Sequence, residues 1–317
     1  MSGLVSIIIP SADPRFLPRM VPDMLAKAGG PVEIIISLDG VDIDLPDDPR
    51  IKLIRHPRLG MRGALNAARA HVRGDWVMKT DEHCLFAEGF DETLKADCAD
   101  NWLLIPRRYS LDAEKWAIED NPKGPRDYHY LSCPVWSIRE RDDYSMHGLE
   151  WPTRTRERIT GYDLDETMSW QGSCYFMARS HYERLGPLVE SDPSTGSGWG
   201  TFAGEPQEIG LKTQLGGGAI MVTKRTWYAH LHKGRKYGRG YRPDKVEISA
   251  GHEYNAWYWV TNQWPGRQMT MRQFIEKWMP IPTWPEDVVR RWAWYFPPNA
   301  TLEGLKARAL EREQDYA

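Results

Sequence analysis

A carboxylate and an imidazole two residues apart, Asp81 and His83, follow an apolar run in the order Lys79-Thr80-Asp81-Glu82-His83-Cys84. At the end of a strand, side chains with that spacing can turn toward one divalent cation. A hard oxygen beside a borderline nitrogen suits Mn2+ better than Ca2+, and it leaves coordination positions open for diphosphate oxygens. The competing role for Asp81 is an ordinary turn in which the carboxylate caps the next helix. Asp13 and Asp39 also follow β-branched runs. Three acids at three strand ends describe a cation–phosphate cleft. Further along, Glu205 opens a helical stretch behind the Gly-rich segment 194–204, and a basic, Tyr-containing segment spans 232–242.

The elements that must position these groups alternate. Strands are expected at 5–10, 32–38, 51–54 and 75–79, with helices at 15–28 and 60–72 between them. That order predicts a parallel α/β sheet whose ligands sit beyond the strand carboxyl ends. After a strand at 102–106 the pattern dissolves, and 107–165 reads as an irregular insertion, a lid or acceptor region. Regularity returns with strands at 173–178 and 219–223 flanking a helix at 205–215, and helices are expected at 253–264, 285–295 and 302–314. The domain expectation is a catalytic unit over 1–245 and a helical carboxyl-terminal extension over 246–317.

Four blocks of sequence resemble a known superfamily. Gly60-Met61-Arg62-Gly63-Ala64-Leu65-Asn66-Ala67-Ala68-Arg69-Ala70, then Gly74-Asp75-Trp76-Val77 and Asp81-Glu82-His83-Cys84, look like the donor half of GT-A glycosyltransferases. The opening Val5-Ser6-Ile7-Ile8-Ile9-Pro10 resembles the first strand of that superfamily. The segment from Trp199 through Glu205 to Ile209 resembles the W-G-G-E-N-x-E-I block of the polypeptide N-acetylgalactosaminyltransferase branch, which uses D-x-H where most relatives use D-x-D. Ala229-His230-Leu231-His232-Lys233 resembles that branch's G-H-V-F-R segment.

The resemblance implies a GT-A, Rossmann-like mixed sheet flanked by helices and a metal-dependent transfer from a UDP-sugar, in a phage or bacterial member. It implies Asp81, His83 and His230 as ligands of Mn2+ or Mg2+, with His232 as the alternative third ligand. Pro10, Asp39 and Arg62 would line the nucleotide side, and Trp199 and Glu205 the sugar pocket, against plain packing or turn roles for Asp39, Arg62 and Trp199. Lys233 and Arg235 belong to the basic segment, which reads as a lid closing on the diphosphate, as a phosphate-tracking strip for a nucleic-acid acceptor, or as a solvated loop. Where inverting relatives carry an acid after the helix-opening Glu, this chain has Pro206, which cannot act as a base. Retention is therefore expected, with Glu205 as an inverting base the competitor.

Composition sets outer bounds. A net charge of −3 supplies no global field for DNA or an anionic membrane. No run approaches about 18 apolar residues, so no membrane span is expected and the protein reads as cytosolic. Four dispersed cysteines read as reduced thiols, and 15 Trp suit both a core and the flat faces that stack on sugar rings. Phosphoryl transfer is disfavoured because no G-x-x-x-x-G-K-[ST] loop occurs. The acceptor expectation is a protein or glycan hydroxyl. A hydroxymethylated pyrimidine in DNA is the alternative, a small metabolite is a third candidate, and a non-catalytic nucleotide-sugar or carbohydrate binder is the rival from another class.

Overall fold

The computed structural model describes residues 3–120, 124–134, 146–190, 198–202, 204–241 and 245–307. Its chain order begins β1 (Val5–Ser11), α1 (Leu17–Lys27), β2 (Val32–Asp39), β3 (Ile51–His56), α2 (Gly60–Arg69), β4 (Trp76–Thr80), β5 (Cys84–Phe86) and α3 (Phe90–Asp97). It continues with β6 (Trp102–Asp112), β7 (Ala117–Ile118), β8 (His129–Leu131), β9 (Gly148–Glu150), α4 (Pro152–Glu157), β10 (Leu164–Glu166), β11 (Cys174–Ala178) and α5 (Arg179–Leu185). The remaining elements are α6 (Glu205–Leu215), β12 (Ala219–His230), α7 (Gly234–Tyr237), α8 (Lys245–Val260), α9 (Met271–Trp278) and α10 (Trp292–Tyr295).

Every residue of β1 and β2 is buried, the signature of strands covered on both faces. The main path of the sheet runs β10-β12-β6-β11-β4-β1-β2-β3. β3, β2, β1 and β4 pair in parallel, β11 lies antiparallel between β4 and β6, and β12 is parallel to β6. This is the expected mixed α/β sheet. One face packs on Leu17, Met20, Val21 and Met24 of α1 and on Phe90 and Leu94 of α3. The other face packs on Leu65 and Ala68 of α2, Tyr182 and Leu185 of α5, and Ile209 of α6. A third apolar cluster joins Tyr128 and Trp151 to Trp199, Leu211 and Leu215, and these to Trp259, Phe274 and Trp278 of α8 and α9.

Several elements differ from the sequence expectation. The last strand does not stop at residue 223: β12 runs on to His230, with a register shift against β6 between Thr223 and Trp227. The stretch 107–165 contains the second half of β6 and β7 to β10, each of two or three residues and too short to show a period. α8 begins at Lys245 and ends at Val260; Asn262, at φ +56°, follows in the left-handed region that terminates helices. Within 285–295 only α10 is helical, because backbone bonds there alternate between three- and four-residue turns, as in Val288 to Pro285 and Arg291 to Asp287. Of the helix expected at 302–314, residues 302–307 are helical and the remainder lies outside the described residues.

Candidate functional site

β4 and β12 bring the first cluster together. The backbone N–H of Asp81, one residue past β4, donates to the Ser173 carbonyl at 2.9 Å. β5 pairs antiparallel with β12 so that Cys84 faces His230, and Leu231 N–H donates to the His83 carbonyl at 3.1 Å. The ligand atoms of Asp81, His83 and His230 all lie within 4.8 Å of one another. His230 Nε2 is 3.3 Å from Asp81 Oδ2, and the two imidazole centroids are 4.8 Å apart.

The electrostatics suit a cation. Burial holds both imidazoles below their ordinary pKa, and for His83 the neighbouring His230 adds to it, so both stay neutral with lone pairs to offer. Burial opposes ionisation of Asp81, yet Lys79 and the two histidines hold it well below the usual carboxylate range. The buried Nδ1 of His83 makes no hydrogen bond. One carboxylate and two neutral imidazoles on one side of a cleft can hold a divalent cation and leave positions open, so the residues fit the expected group. His232 does not join them. Its Nε2 is taken by the guanidiniums of Arg108 at 2.5 Å and Arg126 at 2.7 Å.

Lys79 was quoted from the sequence without a role, and the structure supplies one. Its ammonium donates to Asp81 Oδ1 at 2.8 Å and to the Gly172 carbonyl at 2.5 Å, and lies 3.9 Å from Glu205 Oε2. Glu205, the first residue of α6, is 3% exposed, and its Oε1 has no hydrogen bond. Burial pushes its carboxyl up to about 7, against the pull of Lys79. Gly172 leaves the room this carboxyl needs, since a Cβ there would stand 2.7 Å from Oε2.

Around the cluster lies a cleft of about 670 Å3, walled by Pro10, Asp39, Arg58, Glu82, Trp170, Phe202, Tyr241 and His252 among others. Asp39 ends β2 in the expected place, where its Oδ1 accepts from Leu59 N–H at 2.5 Å and Gly60 N–H at 3.2 Å. Arg58 stacks over Tyr241 at 5.0 Å, with Phe202 6.1 Å from the same ring. Nothing in the spacing of these three residues marked them beforehand. Lys233 reaches the cleft and bridges Asp13 Oδ2 and Glu82 Oε1, each at 3.0 Å. Gly240 N–H also donates to Asp13, so the basic segment is folded down on the end of β1. Lys236 pairs with Glu114 at 2.6 Å. The side chain of Arg235 lies outside the described residues.

Two expected cleft residues lie elsewhere. Arg62 is fully buried, bound to Glu208 and to the Val189 carbonyl at 2.6 Å, and it stacks on Trp199 at 5.1 Å. Trp199, 1% exposed, packs edge-on against Tyr254, Tyr258 and Trp259. Neither lines the cleft in this structure: a buried guanidinium needs an acid and Glu208 holds that of Arg62 inside, while the aromatic side chains of α8 enclose Trp199. The pair braces α2 against α6 behind the site.

Comparison with known proteins agrees with this geometry. No curated protein matches the sequence. A solved structure, described as GalNAc-T7 with UDP, GalNAc and Mn2+, superposes with a TM-score of 0.58 at 15% identity, covering 92% of this chain and 58% of that one. The chain thus spans a little over half the length of that protein. S. aureus TarS superposes with a TM-score of 0.46 at 11% identity, over 86% of this chain and 42% of that one. At 15% identity the first of these likenesses concerns the fold alone, which is GT-A. The sequence of residues 6–183, more than half the chain, matches the glycosyl transferase family 2 model, and the chain belongs to that family.

Proposed function

We propose that the protein is a metal-dependent glycosyltransferase that moves a sugar from a UDP-sugar, a hexose or N-acetylhexosamine, to an acceptor hydroxyl with retention of anomeric configuration. The observation that carries the proposal is the Asp81–His83–His230 cluster on the wall of the cleft, with ligand atoms within 4.8 Å of one another. The similarity to a protein solved with UDP, GalNAc and Mn2+ supports the choice of donor and metal. Mn2+ or Mg2+, held by those three side chains, supplies neutralisation of the diphosphate as it leaves.

The remaining roles belong to the chain itself. The Asp39 end, with Pro10 and the Arg58–Tyr241 stack, receives the nucleoside. Lys233 exchanges its partners Asp13 and Glu82 for phosphate oxygens, with Arg235 from the same segment. Glu205, carrying its proton near neutrality, donates a hydrogen bond to a sugar hydroxyl. Pro206, where inverting relatives carry an acid, cannot act as a base, which supports retention over inversion, with Glu205 as the competing base. The acceptor is a hydroxyl of protein or glycan. A DNA acceptor draws less support, since the net charge of −3 supplies no global field for it.

Calorimetry of UDP binding with Mn2+ and with EDTA tests the site. Wild type binds UDP in Mn2+ and loses it in EDTA, and Asp81→Ala and His83→Ala bind about as poorly as wild type in EDTA. Binding indifferent to metal and to both substitutions would refute the metal reading. Slow UDP-sugar hydrolysis without acceptor separates an enzyme from a binder that never turns over. An NMR assignment of the product anomer decides stereochemistry, with inversion pointing to Glu205 as base.

A further inference from the structure

On the wall of the cleft beside the proposed metal site, one nitrogen is asked to satisfy two cations. Arg108 and Arg126 both donate to Nε2 of His232, at 2.5 and 2.7 Å. A neutral imidazole nitrogen has a single lone pair, so it can serve one donor well and not two. Arg108 is 3% exposed and makes no ion pair among the described residues. Among the described residues the acid paired with them is Glu150, 3.0 Å from Nε of Arg126 and 45% exposed at its side chain. Among the described residues the two guanidiniums have one carboxylate partner and one shared lone pair, and the buried Nε of Arg108 makes no hydrogen bond. A buried guanidinium in that condition is costly unless an anion completes it. His232 lies on the cleft wall with its ring 5.1 Å from that of His230.

We propose that Arg108 and Arg126, both from the 107–165 stretch expected to serve the acceptor, form with His232 an oxyanion subsite directly behind the cleft wall that His232 lines, one that takes a phosphate, sulfate or carboxylate group carried by the acceptor. The inference rests on the glycosyltransferase reading for the word acceptor, while the oxyanion site itself rests on the arginines alone. Planar guanidiniums recognise such groups through paired N–H donors, which a lone hydroxyl cannot match. The subsite therefore narrows the acceptor class from any hydroxyl to a hydroxyl on an anionic molecule.

The test uses inorganic sulfate, which does not precipitate Mn2+, titrated calorimetrically into protein preloaded with UDP and Mn2+, with chloride holding ionic strength constant. Wild type binds sulfate on top of UDP. Arg126→Gln weakens sulfate binding about tenfold, the scale of one lost charge-assisted hydrogen bond. Glu150→Gln, at a half-exposed position that the fold tolerates, strengthens it by freeing Arg126. UDP affinity stays put in both variants. Sulfate affinity unmoved by the two substitutions, or no sulfate binding, overturns the subsite. Sulfate that competes with UDP, together with loss of UDP affinity in Arg126→Gln, assigns the anion to the donor diphosphate and overturns the acceptor placement. Failure of wild type to bind UDP at all sinks the donor reading and the acceptor placement with it. The sulfate response of the same variants without UDP then decides the oxyanion site separately.

Discussion

Glu205 holds a proton that the unfolded chain gives up. Burial, partly offset by Lys79, raises its carboxyl from 4.5 to about 7. Between those values the folded protein binds more protons than the unfolded one, so this group's contribution to stability is complete below about pH 4.5 and is lost as pH rises through about 7. Glu205→Gln removes that slope. In EDTA, the difference in unfolding free energy between pH 5 and pH 8 should shrink in the variant by on the order of 2 kcal/mol, read from urea melts. An equal slope in both proteins would place the proton elsewhere. At this scale the sequence was legible where spacing is local. Asp81 and His83 sit two apart at a strand end, and the chain's own geometry brings them together. Arg62 and Trp199 misled because a motif tells which residue is present and not which way it points. Arg62 is turned inward by Glu208, 146 residues away, and Trp199 by the aromatic side chains of α8, and neither partner carries a signal toward them in the sequence.

Gly60 shows how an element positions the site. It starts α2 at φ +80°, where its N–H meets Asp39, and a Cβ there would stand 2.5 Å from Thr201 Cβ and 2.7 Å from the Thr201 carbonyl oxygen. Gly60→Ala combines left-handed strain with that collision and should cost about 2 kcal/mol or more in thermal or urea unfolding. The same change should weaken UDP binding by displacing Asp39's partners, and a melt unchanged from wild type would mean the loop relaxes freely. The parallel strands β1 and β2 were legible because continuous burial writes an unbroken β-branched run. The far half of β12 was not. Thr223–Trp227 departs from regular pairing, and Lys224 and Arg225 interrupt the apolar run ahead of His230. His230 is singled out by its neighbours in sequence, and the strand that carries it is seen only in the structure.

At the scale of the molecule, the residues after 245 share one apolar cluster with α6 and with 128–151. Trp199, Leu211 and Leu215 lie within it, next to Trp259 and Phe274. A chain ended at residue 245 would present those faces to water. We expect it to bind a hydrophobic dye and lose its sharp unfolding transition, whereas the whole chain melts in one step. A truncated chain that melts cooperatively would show the extension to be a separate unit. Glu247, Ile248 and His252 of α8 also border the cleft, so the extension is expected to affect ligand binding as well as stability.

The bridge from Lys233 to Asp13 and Glu82 carries a kinetic consequence. In the folded-down arrangement this ammonium already has two carboxyl oxygens at 3.0 Å, that of Asp13 held ionised and that of Glu82 raised by burial to about 7. A diphosphate that draws it away replaces contacts of the same kind, so the two positions of the segment lie close in free energy. A latch so nearly balanced lets go as readily as it catches. In the proposed enzyme we expect such a latch to release spent nucleotide quickly, so that rapid-mixing kinetics show no burst of product; a burst would refute this.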